Sequence, residues 1–206
     1  LSAGWEDKWK TAVEDAHTLG QQYIVIPWLE EPHRKSLDNY KKIAAGLGTA
    51  ARVAQSAGLE LAYHNHDFEF VPLDGQTGMD ILLKETDAGL VKIELDLYWA
   101  TKAGHDPIEL FTQHPGRFSL WHVKDMDNSE KKFFTEVGNG VIDFKAIFAK
   151  AKKSGHTDVS EYRKISELGK KMEFIGYTHL ESESTIVGVL LDGKVSQEAN
   201  EGDDVE

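Results

Sequence analysis

The sequence predicts an α/β fold of about four βα units around a parallel sheet, followed by a short β-rich C-terminal segment. Three observations carry that expectation. Short apolar runs alternate with longer amphipathic stretches from residue 5 to residue 153, the pattern of right-handed βαβ units. From the second run onward, each apolar run ends in unusual polar residues. The rhythm then stops near Gly155, and residues 181–206 carry eight acidic residues against one lysine.

The elements follow in order. Trp5, Trp9, Val13, Ala16 and Leu19 recur at spacings of three or four, which predicts a helix over 5–19 with Gly20 as its C-cap. The continuous run Tyr23-Ile24-Val25-Ile26-Pro27 predicts a strand buried on both faces. Residues 36–57 predict a long helix, with Ser36 as N-cap and Gly58 as its stop. A strand is expected over 59–64, a short helix over 79–85, and a strand over 90–97 that begins with a Val91-Ile93-Leu95 alternation. Asp106-Pro107 opens a helix over 107–113, with proline in the first turn. A strand over 118–123 and a helix over 144–153 complete the series.

Composition excludes several function classes. The 206 residues have a net charge of −12, so no basic face for nucleic acid is expected. The chain has no cysteine, which excludes disulfides, Cys-ligated zinc and thiol catalysis. No apolar run approaches the roughly 20 residues needed to cross a bilayer, so no membrane partner is expected and a cytoplasmic setting is. The first residue is Leu1 rather than Met, which predicts a fragment or a processed piece.

The polar residues obey a positional rule. The second strand ends in His64-Asn65-His66, the third in Asp96-Leu97-Tyr98-Trp99, and the fourth in His122-Val123-Lys124-Asp125. In a (β/α)8 barrel such ends converge on one rim, where active sites sit. Imidazoles and carboxylates gathered there hold a divalent cation, and without cysteine the donors are N and O, which suits Mn, Mg, Co or Zn. His64, Asp96 and His122 are the metal candidates. His66 and Glu69 are the candidates for proton transfer. Trp28, Trp99 and Trp121 are either walls for a sugar ring or core filling.

Residues 1–155 resemble the xylose-isomerase-like (β/α)8-barrel superfamily, the sugar phosphate isomerase/epimerase group. The resemblance is carried by AYHNHDFEF (62–70), ELDLYWATKAGHDP (94–107), PGRFSLWHVKDMD (115–127) and FTEVGNGVIDF (134–144). It implies a partial TIM barrel, a divalent metal at the strand ends, and a small-molecule sugar substrate. On that basis Asp96 is expected as the metal carboxylate of the sixth barrel strand and His122 as the metal imidazole of the seventh. His64 falls near the place where relatives carry a glutamate of the fifth strand. Gly138 and Gly140 match a tight loop before the last helix, and Trp99, Arg117 and Lys124 are expected to bind substrate. A full barrel needs about 250 residues; the strand at 23–27 corresponds to the fourth of eight, and no family-like eighth strand with its metal glutamate follows Gly155. The exposed edges of such a partial sheet favour homo-oligomers.

Residues 162–206 resemble a different family. The stretch 171–206 is similar to the part of alanyl-tRNA synthetase that opens the β-barrel before its editing domain, with Phe174-Gly176-Tyr177, Leu180-Glu181 and Leu190-Leu191-Asp192-Gly193 as markers. A strand over 185–191, a hairpin turn at Asp192-Gly193 and a return strand from Val195 are expected. Two units follow: 1–155 as a partial barrel, and 156–206 as a β segment with an acidic tail. The function implied is a metal-dependent isomerase or epimerase working by proton transfer next to a carbonyl. The alternatives are a sugar lyase or dehydratase of the same superfamily, or a catalytically inactive chimeric fragment.

Overall fold

The structure is a computed structural model that describes residues 5–155 of the chain. Helix α1 (Trp5–Thr18) leads into β1 (Tyr23–Ile26), α2 (Leu37–Ser56) and β2 (Glu60–His64). A small hairpin, β3 (Pro72–Leu73) and β4 (Gln76–Thr77), precedes α3 (Gly78–Glu85). Then come β5 (Val91–Asp96), α4 (Leu97–Lys102), α5 (Pro107–Gln113) and β6 (Leu120–His122). A second hairpin, β7 (Asp125–Met126) and β8 (Phe134–Thr135), is followed by α6 (Phe144–Phe148) and α7 (Ala151–Ser154).

The main sheet has the order β1-β2-β5-β6, and every pairing in it is parallel. This is the expected α/β half-barrel sheet. Register partners share a face and neighbours along a strand alternate. Leu61, Tyr63, Val91, Ile93, Leu95 and Trp121 therefore point to one side, where they join the buried core with Ala44, Leu47, Ala51, Leu82 and Phe111. Each large side chain buried there contributes about 1.5–3 kcal/mol. Helix α2 packs on α1, α3 and β2, and Trp9 Nε1 donates to the carbonyl of Ala50 at 3.0 Å, tying α1 to α2. The other face of the sheet carries Ala62, His64, Glu94, Asp96 and His122.

The local signals behave as their chemistry dictates. Ser36 Oγ accepts from the Asn39 N–H at 3.2 Å and starts α2, while Gly58 beyond its end has φ +80°. Asp106 caps α5 by accepting from the Ile108 N–H at 2.8 Å, with Pro107 in the first turn.

Four expectations are corrected. Strand β1 is half-buried rather than buried on both faces, because β2 is its one sheet partner among the described residues. Leu97 belongs to a helix, since the Asp96 side chain caps a new turn by accepting from the Trp99 N–H. The expected strand over 118–123 is ordered as strand only over Leu120–His122. The helix expected over 144–153 is two short helices separated at Ala149 and Lys150. The expected strands at 185–191 and from Val195 lie outside the described residues. No helix among the described residues is long and apolar enough to cross a membrane.

Candidate metal centre

Three strands deliver the site. His64 closes β2, Asp96 closes β5 and His122 closes β6. Asp96 is the register partner of His122, and His64 is the partner of Glu94, two residues before Asp96. All four side chains thus face the same side of the sheet at its C-terminal end.

One ligand atom from each of His64, Asp96 and His122 lies within 4.8 Å of the others. His122 Nδ1 is 2.9 Å from Asp96 Oδ2, and His64 Nε2 is 3.7 Å from the same oxygen. Glu94 Oε2 stands 3.4 Å from His64 Nδ1. Asp96 and Glu94 are buried, as is His64. Asp96 Oδ2, Glu94 Oε2, His64 Nδ1 and His122 Nδ1 are buried without a well-formed hydrogen bond. Orphaned buried polar atoms of this kind are costly unless something completes them. A divalent cation fits: the donors are two imidazoles and carboxylate oxygens, converging from three strands.

Around this core, Asn65 locks two strand ends together. It is fully buried, its Oδ1 accepts the Asp96 N–H at 3.0 Å, and its Nδ2 donates to the His66 carbonyl at 3.3 Å. His66 sits beside the triad, 5.0 Å from His64 between ring centroids. Its ring stacks on Phe68 and meets Trp28 edge-on, with Trp99 at 5.6 Å. Burial, then the neighbouring His64, pushes the His66 imidazole down to about 4, against the pull of Asp96. It is therefore neutral near pH 7.

Lys124 and Trp99 stand at the same rim. The Lys124 ammonium lies 5.3 Å from the Trp99 ring centroid. Burial lowers its pKa, Asp96 opposes that shift, and Lys102 adds to it. Trp28 is partly exposed next to His66. Trp121 is core filling: it is buried and stacked on Phe111 and Phe148.

Two expected site residues do not reach the rim. Glu69 is fully buried and both of its oxygens are taken, Oε1 by the Tyr63 hydroxyl and Oε2 by the His66 N–H at 2.7 Å. Tyr63 alternates with His64 on β2, so this carboxyl is engaged on the helix side of the sheet. Burial pushes Glu69 up to about 7, against the Tyr63 hydroxyl and the backbone N–H groups, which pull it down. Arg117 precedes β6, at the end of the sheet opposite the triad. It is buried, with Nη1 donating to the Leu83 carbonyl and Nη2 to Thr86 Oγ1, each at 2.7 Å. Its guanidinium ties the end of α3 to β6 and is not offered to a substrate.

Two residues of the site were not singled out from sequence. Glu94 precedes Asp96 by two positions on one strand, and period-2 alternation alone places both on one face. Lys102 comes to the rim only because α4 starts at Leu97, a helix the expected strand over 90–97 had hidden.

Comparison with known proteins agrees with this architecture. Residues 3–165 match the family model described as xylose isomerase-like TIM barrel. The chain is 27% identical over 167 residues to inosose dehydratase of Geobacillus kaustophilus, covering 66% of this chain and 54% of that protein. A sugar phosphate isomerase/epimerase of Parabacteroides distasonis superposes with TM-score 0.63 at 30% identity, over 72% of this chain and 52% of that one. The IOLI protein, solved with a zinc atom, shares the fold at 18% identity and TM-score 0.60, over 81% of this chain and 70% of that one. Over a 58-residue stretch the chain is 53% identical to alanine–tRNA ligase of Streptomyces avermitilis, covering 28% of this chain and 6% of that enzyme. The chain thus spans about half the length of the inosose dehydratase and of the Parabacteroides protein. By the family match, which takes in most of its length, the chain belongs to the xylose isomerase-like TIM barrel family.

Proposed function

We propose that the chain carries the metal-binding rim of an isomerase or epimerase that acts on a sugar or sugar derivative by proton transfer next to a carbonyl. The observation that carries this reading is the convergence of His64, Asp96 and His122 within 4.8 Å at three strand ends. These three residues would hold the ion, with Glu94 orienting His64 from behind. A bound Mn, Mg, Co or Zn ion supplies Lewis-acid polarisation of a substrate oxygen. His66 is the proton-transfer candidate left once Glu69 is engaged elsewhere: its imidazole is neutral and flanked by aromatic rings. Trp28 and Trp99 provide apolar faces for a sugar ring, and β1 and β6, the edge strands among the described residues, offer edges through which copies can associate.

A dehydratase reading is favoured by one finding, the match to inosose dehydratases. The same residues serve it, with the abstracted proton followed by loss of a neighbouring hydroxyl. The reading as an inactive chimeric fragment draws on the short match to alanine–tRNA ligase.

The test is incubation of the full chain with manganese and a panel of pentoses, ketohexoses and inososes in deuterated water. Exchange of a carbon-bound proton next to the carbonyl, lost in His66→Gln, supports the proposal. Loss of water from the sugar, read by mass, selects the dehydratase reading. No exchange and no loss of water with any of these sugars sinks both in favour of the inactive fragment.

A further inference from the structure

Two lysines converge on one aromatic pair beside the triad. Lys102 is the last residue of α4, and Lys124 follows β6 by two residues. The Lys102 ammonium is 4.8 Å from the Trp99 ring centroid and 5.2 Å from that of Tyr98. The Lys124 ammonium is 5.3 Å and 5.1 Å from the same two rings, and 4.5 Å from that of Phe134. Both lysines are half-buried.

Like charges gathered at a partly desolvated place repel, and the aromatic faces offset only part of that. The usual remedy is a carboxylate partner. Among the described residues, none lies within 4.0 Å of either ammonium. Lys102 Nζ donates to the Tyr98 hydroxyl at 2.9 Å, and that hydroxyl donates in turn to the Lys132 carbonyl at 2.9 Å. The other donors of Lys102, and all those of Lys124, have no hydrogen-bond acceptor among the described residues. Arg117 lies at the opposite end of the sheet and is committed to Leu83 and Thr86. Arg34 lies over Phe68 and Trp28 on the His66 side of the rim, and the lysine pair is the cationic feature on the Tyr98–Trp99 side.

Its position is suited to a ligand group. Asp96 caps α4 and Lys102 ends it, so the two are separated by roughly 9 Å of helix rise. A sugar held at the triad by one end can present its other end to the lysines, with Trp99 between them.

We infer that Lys102 and Lys124, held over Tyr98 and Trp99, form a binding site for an oxyanion, the carboxylate or phosphate group of an acidic sugar derivative. The inference rests on the proposed sugar chemistry for what the anion is attached to, while the anion site itself is independent of the metal. Lysines at such a site act as point charges and also donate charge-assisted hydrogen bonds.

The probes are inorganic phosphate, glycolate and neutral xylitol, titrated into the full chain in EDTA, with tryptophan fluorescence and melting temperature as readouts. Phosphate or glycolate binds the wild-type chain, and xylitol does not. Lys124→Met and Lys102→Met each weaken that binding by about tenfold or more, while Lys124→Arg keeps it within about threefold. Tighter phosphate binding assigns the phosphate source, and tighter glycolate binding the carboxylate source. Equal anion binding in wild type and both methionine variants overturns the inference, as does no binding of either anion by about 50 mM, where a paired cationic site is expected to be occupied. Asp96→Asn separates the two readings. It removes manganese binding if the triad reading holds, and it leaves anion binding intact or stronger if the lysine site holds.

Discussion

Asp96 divides its two oxygens between two tasks. Oδ1 accepts the Trp99 N–H at 2.9 Å and starts α4, while Oδ2 faces His122 Nδ1 at 2.9 Å. The cap fixes the carboxylate, so the second oxygen is presented in one orientation to both imidazoles. One residue thus joins the turn from strand to helix and the candidate metal site.

Glu94 is expected to act through His64. Its Oε2 is 3.4 Å from His64 Nδ1, on the side of the ring away from Asp96. Glu94→Gln should weaken manganese affinity by about 10–100-fold, the usual effect of losing a residue that orients a ligand. Calorimetric titration checks this, and an unchanged affinity would remove Glu94 from the site.

Glu69 makes stability depend on pH. Burial holds its folded pKa up at about 7, above the ordinary 4.5. The folded chain therefore retains a proton that the unfolded chain has lost between those values. The stabilisation that Glu69 contributes is fully present below its ordinary pKa and is lost as pH rises through the window, by on the order of 3 kcal/mol in total. Glu69→Gln should flatten that slope. Urea melts of both chains in EDTA at about pH 5 and about pH 8 measure it.

The loop before α6 hangs on one buried carboxylate. Asp125 Oδ2 accepts from the Gly138 and Gly140 N–H groups, each at 2.9 Å, and Oδ1 from Met126 at 2.8 Å and Ile142 at 3.2 Å. A Cβ on Gly140 would collide with Asp125 Oδ1 and the Met126 carbonyl. Gly140→Ala should cost about 1–3 kcal/mol and loosen residues 136–142. Limited proteolysis and hydrogen exchange of that loop would register the change.

Arg117 is expected to be structural. Arg117→Met removes the donors to the Leu83 carbonyl and to Thr86 Oγ1 and should destabilise the chain by about 1–3 kcal/mol. Manganese affinity should stay at the wild-type value. A normal melting temperature with altered ligand binding would instead restore Arg117 to the substrate site.

Much of this site was legible because strand chemistry is regular. His64, Asp96 and His122 could be placed on one rim from their positions at the ends of apolar runs. Alternation along β5 reaches Glu94 as well. Lys102 and Arg117 were not readable in the same way. Lys102 depends on Asp96 turning the chain into α4 at once, a capping event inside what reads as continuous strand. Arg117 depends on tertiary partners, Leu83 and Thr86, that lie more than thirty residues away. Glu69 lies three residues after His66 in a polar stretch, and only the short helical turn Phe68–Phe70 carries it to the helix side of the sheet. The small hairpins β3–β4 and β7–β8 are two residues per strand, too short for any periodic signal.

Manganese titration of wild type against Asp96→Asn tests whether His64, Asp96 and His122 bind a divalent cation. The expected result is one ion per chain, a raised melting temperature with manganese, and an affinity loss of about 100-fold or more in the variant. Equal manganese binding by the two chains, or none by the wild type, would contradict it.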